Sequence, residues 1–66
     1  MSLPKAPIER IIRKAGAERV SDEAIKELRD AVEDLGEDIA EEAISLANHA
    51  NRNTVKEEDI KMVTEG

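Results

Sequence analysis

The sequence predicts an all-α chain: a short helix, a loop, a long central helix, a second loop and a last short helix, in one domain over residues 1–66. Three observations carry that reading. From Asp22 to about Ala50 there is no proline, and apolar residues recur at steps of three and four. Ser21 marks the start of this stretch as a helix cap, and the turn-forming run Asn51-Arg52-Asn53-Thr54 marks its end. Phe, Tyr, Trp and Cys are all absent, so the core must be built from Ile, Leu, Val, Ala and Met. A core of that kind in so short a chain rarely stabilises a monomer, which makes a second copy the expected remedy.

Taken in order, residues 1–5 are expected to be extended, with Pro4 and Pro7 limiting how early a helix can begin. Ile8, Ile11, Ile12 and Ala15 then give a short amphipathic helix closed by Gly16, with Arg10, Arg13 and Lys14 on its outer face. A short connection, extended at Arg19-Val20-Ser21, leads to the central helix. There Asp22 and Glu23 place negative charge in the first turn, and Val20 can staple to Ile25. Ile25, Leu28, Val32, Leu35, Ile39, Ala43, Leu46 and Ala50 form one continuous apolar face along roughly 28 residues, or about 42 Å. Gly36 falls at its midpoint, either as a tolerated glycine or as the place where two such helices cross with backbones close together. The last helix runs from roughly Glu57 to Thr64, with Thr54 or Lys56 as its cap, and shows Ile60 and Val63 on one face. No internal repeat or low-complexity segment is evident.

The net charge of −6 is unevenly spread. Residues 1–20 carry five bases against Glu9 and Glu18, residues 21–44 carry Lys26 and Arg29 against ten acids, and residues 45–66 are close to balanced. An acidic total argues against a nucleic-acid partner, yet the local patch is what a phosphate surface meets. Nothing resembles a signal peptide or a membrane span. Without cysteine, and with His49 as the one histidine lacking Glu-x-x-His spacing, no metal or other cofactor is expected. The carboxylates lie in regular rows, with no candidate nucleophile and base close together, so the chain is not read as an enzyme.

Pro4-Lys5-Ala6-Pro7-Ile8, Arg10-Ile11-Ile12 and Ala15-Gly16-Ala17-Glu18-Arg19-Val20-Ser21-Asp22 closely resemble the archaeal histones, as do Asn48-His49-Ala50, Arg52, Thr54-Val55-Lys56 and Glu58-Asp59-Ile60. The resemblance covers nearly the whole chain without gaps. It implies the histone fold, an obligate handshake homodimer whose central helices cross antiparallel near Gly36, and each first loop lying beside the partner's second loop. It further implies binding and bending of double-stranded DNA with little sequence preference, on the chromosome in the cytoplasm. By position, Arg19 and Thr54 match the pair that meets DNA at each loop-loop end. Arg10, Arg13 and Lys14 match the central contact, and Lys56 adds a phosphate contact. Arg52 and Asp59 match a salt bridge pinning the second loop to the last helix. Leu46, His49, Asp59 and Met62 match the contact through which two dimers join into tetramers or longer arrays, with a His49 to Asp59 hydrogen bond across it.

Some positions depart from that family. Asn53 and Asn48 stand where bases are usual, Glu9 sits beside Arg10, and the sequence ends at Glu65-Gly66 where relatives often carry a basic tail. Each lost phosphate contact lowers the salt slope by about 0.9, so DNA binding is expected to be weaker than that of typical relatives. Asp30, Asp34, Asp38 and Glu42 form one acidic row on the central helix, and Glu33, Glu37 and Glu41 a second. They are either a solvated face, an adaptation to high internal salt, or a patch that repels adjacent DNA or recruits a basic partner. The leading expectation is a DNA-compacting histone. The alternative is a histone-fold chain that heterodimerises with a more basic paralogue and caps or tunes its arrays.

Overall fold

A computed structural model of the chain describes residues 2–66. Met1, the first residue of the stretch expected to be extended, lies outside them. Three helices, α1 (Lys5–Lys14), α2 (Asp22–His49) and α3 (Glu57–Glu65), account for the regular structure, with no strand among the described residues. The chain divides into two compact units, one ending at Asp34 and the other Leu35–Gly66. Each unit contains one loop with the helical segments on either side of it.

In the first unit α1 begins earlier than the prolines suggested. Pro4 is its N-cap in extended geometry, and Pro7 sits inside the first turn. That position is harmless, because an N–H there would have no acceptor within the helix. Extension therefore stops at Pro4. The helix ends in a Schellman arrangement: Ala17 N–H donates to the Ile12 carbonyl at 3.4 Å, and Gly16 N–H donates to the Arg13 carbonyl at 3.0 Å. Gly16 makes this possible at φ +119°, which a residue with a Cβ rarely adopts. Arg13 and Lys14 complement the helix dipole in the last turn. Ile8 and Ile25 are the buried side chains of this unit.

The first residues of α2 are capped as the sequence leads one to expect. Ser21 Oγ accepts from Ala24 N–H at 3.1 Å, and the Ser21 carbonyl accepts the first helical bond, from Ile25 N–H. The helix runs unbroken through Gly36 to His49.

In the second unit α2 closes by the same device that closed α1. Arg52 N–H donates to the Ala47 carbonyl at 2.9 Å, and Asn51 N–H to the Asn48 carbonyl at 3.0 Å. Here the left-handed residue is Asn51, at φ 59°. The cap of α3 is Lys56, resolving the choice between it and Thr54. A lysine side chain can only donate, so the cap is made from the other side: Asp59 Oδ2 accepts Lys56 N–H at 2.8 Å. Ala43 and Ala47 are the buried apolar residues of this unit.

Much apolar surface is left uncovered. Leu35 and Met62 are 61% and 64% exposed, and Ile11, Ile44, Val55 and Ile60 are exposed as well. Single exposed apolar residues need no explanation, but these side chains leave apolar surface on both units that the chain itself does not cover.

Candidate nucleic-acid interface

The first unit presents the basic surface. Arg10, Arg13 and Lys14 share the outer face of α1 by their spacing, and Arg19 stands in the loop that follows. All four are exposed. Arg10, Lys14 and Arg19 make no ion pair or hydrogen bond among the described residues. Arg13 differs. Its Nε donates to Glu9 Oε2 at 3.0 Å, and its Nη1 donates to the Glu18 carbonyl at 3.1 Å. Glu9 therefore offsets Arg13, one turn away, rather than the adjacent Arg10. The guanidinium ties the loop back to α1 and has only part of its hydrogen-bonding capacity left for a ligand.

Lys5 also faces inward to its own chain, with Nζ 3.4 Å from Asp22 Oδ1, while Lys26 Nζ lies 3.3 Å from Asp22 Oδ2. Hydrogen bonds from Lys26 and then Lys5 lower the Asp22 carboxyl below its ordinary range. The negative first turn of α2 is thereby partly neutralised beside the basic surface.

In the second unit Thr54 and Lys56 are exposed on the loop before α3. What fixes that loop is Arg52. Its Nη1 donates to Asp59 Oδ2 at 2.9 Å and to the Thr54 carbonyl at 3.0 Å, and its Nη2 donates to Asp59 Oδ1 at 2.8 Å. The pair is bidentate and sheltered, with side chains 27% and 5% exposed. The Arg52 hydrogen bonds first, and the Lys56 N–H second, hold the Asp59 carboxyl down at about 2, against the opposing effect of burial. The same contact raises Arg52. Thr54 is thus presented by a loop whose carbonyl, arginine and carboxylate form one network.

Leu46 and Met62 come together on an open groove of about 380 Å³ between α2 and α3, lined also by Glu42, Ser45 and Val63. His49 is exposed at the last turn of α2. Asp59 does not join them at the surface, since both its oxygens are used by Arg52 and Lys56 on its own chain. Asp34, Glu37, Asp38, Glu41 and Glu42 make no ion pair or hydrogen bond among the described residues. Glu33 instead accepts a hydrogen bond from the Leu3 N–H.

Residue types alone could not tell which bases were already taken. The Glu9 to Arg13 spacing was a visible signal for one of those contacts, and Asp59 stands at capping-box spacing from Lys56, but no sequence pattern announced the Glu18 carbonyl.

A family model described as histone-like transcription factor (CBF/NF-Y) and archaeal histone matches residues 1–63. The chain is 50% identical over 60 residues to a subunit of the archaeal histone HAN1 of Thermococcus zilligii, covering 91% of this chain and 90% of that one. It is 48% identical over 64 residues to probable archaeal histone 3 of Methanocaldococcus jannaschii, covering 97% and 96%. The helix order, the two capped loops and these matches agree over almost the same span, and on them the chain belongs to the histone-like transcription factor (CBF/NF-Y) and archaeal histone family.

Proposed function

We propose that this archaeal-type histone binds and bends duplex DNA as a homodimer, through the first-unit surface of Arg10, Lys14 and Arg19 together with Thr54 and Lys56 of the second loop. The observation that carries this reading is the division of labour among the bases. Arg10, Lys14 and Arg19 have no partner among the described residues, whereas Arg52 is committed to Asp59. Unpaired guanidinium and ammonium groups on a helix face and a loop suit phosphates, and sequence preference then comes from DNA deformability. Arg13 supports the surface mainly by fixing its loop. Lysine is absent at positions 48 and 53, which favours weaker binding than in relatives with bases there.

Residues 1–66 act as one histone-fold domain, and the uncovered apolar surface supports pairing with a second copy. Leu46, Met62 and His49 form the contact by which dimers join into tetramers or arrays. The hydrogen bond from His49 to Asp59 of the next dimer belongs to the same reading, with Oδ1 the Asp59 oxygen that accepts fewer bonds within its own chain. The protein acts on the chromosome. Heterodimerisation as a cap that contributes little to DNA binding is not favoured, because the chain keeps its free basic face and matches histones over nearly its whole length.

The deciding experiment is binding to a fluorescent duplex of about 60 base pairs at several salt concentrations, where several phosphate contacts per dimer give a steep fall of log affinity with log salt. A folded dimer that binds nothing even at low salt would reject autonomous DNA bending.

A further inference from the structure

Met62 carries the one sulfur atom among the described residues, and the chain has no cysteine to take an oxidant first. A thioether is soft and polarisable, and a peroxide oxidises it wherever it can be reached. Burial is what shields a core methionine. Met62 lacks that shield in its own chain, being 64% exposed.

The surroundings decide what oxidation does. Met62 lines the open groove between α2 and α3 beside Leu46 and Val63, with Glu42 and Ser45 as the polar part of the lining. All five residues belong to the second unit. The side chains that this unit buries are others: Ala43, Ala47 and Asp59. An oxygen added to Met62 therefore alters the groove and leaves the buried residues and the Arg52 to Asp59 pair as they are. While the groove is open, that oxygen stays hydrated. Once another apolar surface closes the groove, the oxygen leaves water and finds few donors. Among the lining side chains Ser45 has the one hydroxyl, and the Glu42 carboxylate can only accept.

We propose that Met62 is a redox-sensitive modification site that governs the joining of dimers: hydrogen peroxide converts its thioether to the sulfoxide, and the oxidised groove closes poorly on another dimer. In that step a sulfur lone pair attacks one peroxide oxygen, the S–O bond forms as the O–O bond breaks, and sulfur gives up two electrons. The proton on the transferred oxygen passes to the departing one, which leaves as water. The way back takes two electrons from a pair of thiols, which become a disulfide while the sulfoxide oxygen leaves as water. Those thiols belong to a separate reductase, since this chain has none. The inference rests on the joining contact proposed above and adds its regulation. The free dimer is the form that reacts, because joining covers the sulfur.

The test is sedimentation of the full chain, with and without duplex DNA, before and after hydrogen peroxide, for the wild type, Met62→Leu and Met62→Gln. Peroxide is expected to weaken joining of the wild type by about tenfold or more, the effect of burying a polar oxygen without a partner. Met62→Leu has no sulfur at this position, so its joining constant, whatever its value, should be the same before and after peroxide. Met62→Gln should join weakly without any peroxide. Mass spectrometry should find Met62 oxidised quickly in the free dimer and slowly once dimers have joined, and circular dichroism should find the helices of the oxidised chain intact. Oxidised Met62 with joining unchanged, a Met62 that resists peroxide in the free dimer, or helices lost on oxidation would each overturn the proposal. An untreated wild type that never passes beyond a dimer, with or without DNA, would instead sink the joining contact itself.

Discussion

The two loops of this histone are built to one backbone plan and use charge in opposite ways. In each, a helix ends in a Schellman arrangement around a left-handed residue, Gly16 or Asn51, and the next helix starts six positions later, at Asp22 or Glu57. The first loop closes lightly, with a serine hydroxyl on Ala24 N–H and an exposed arginine on the Glu18 carbonyl. Its own base, Arg19, is exposed and makes no ion pair among the described residues. The second loop closes with a sheltered bidentate ion pair that also supplies the helix cap. The same geometry thus leaves Arg19 free in one loop and commits Arg52 to a carboxylate of its own chain in the other.

The largest effect should separate the two roles of arginine. Arg52→Ala leaves Asp59 sheltered without its partner and should lower the melting temperature by on the order of 10 °C or more, whereas Arg19→Ala should barely move it. Thermal unfolding followed by circular dichroism, at one fixed dimer concentration, makes the comparison. Acid should reveal the same asymmetry. The Asp59 carboxyl sits at about 2 in the folded chain, below the ordinary value near 3.9. Its stabilisation is therefore full above about pH 5 and is lost as pH falls through about 2. Asp59→Asn should flatten that part of the acid-unfolding curve, and a curve of unchanged shape would show that the second loop is not held electrostatically.

DNA binding should respond in the reverse order. Arg10→Gln or Arg19→Gln removes one contact per chain and two per dimer, so the slope of log affinity against log salt should shrink by about 1.8 for either change. Arg13→Gln should shrink it less, because Glu9 and the Glu18 carbonyl already hold that side chain. Equal slopes for the three variants would mean that the intrachain contacts of Arg13 are given up on DNA.

Smaller effects probe the caps. Ser21→Ala should destabilise the chain by about 1 kcal/mol, the usual worth of a serine N-cap. At the left-handed residues, Gly16→Ala should cost about 1 kcal/mol, while Asn51→Gly should change stability by no more than a few tenths. Urea titrations at fixed concentration resolve both differences. A larger loss at position 51 would show that the Asn51 side chain, and not only its backbone, holds the second loop.

The helices were largely legible because their signals are local. Ser21, Asp22 and the three-four spacing place the start of α2, and the end falls one residue from where the apolar pattern fades. The start of α1 was misplaced for a local reason too: Pro7 reads as a barrier, but in the first turn its missing N–H has nothing to lose. The likeness between the two loops was invisible because it resides in backbone hydrogen bonds that glycine and asparagine can both supply. Among the site residues, Arg10, Lys14 and Arg19 were readable as bases. The attachment of Arg13 to a loop carbonyl depends on which oxygen lies nearby in space.

The uncovered side chains of Leu35, Ile44, Ile60 and Met62 have a further consequence for how the protein is kept. Where folding and pairing are one event, the folded fraction depends on protein concentration, and dilution acts as a denaturant. Chains in excess of their partners present apolar helix faces, the kind of surface that proteases and chaperones engage. Supply of this histone is then trimmed toward what can pair, without any dedicated sensor.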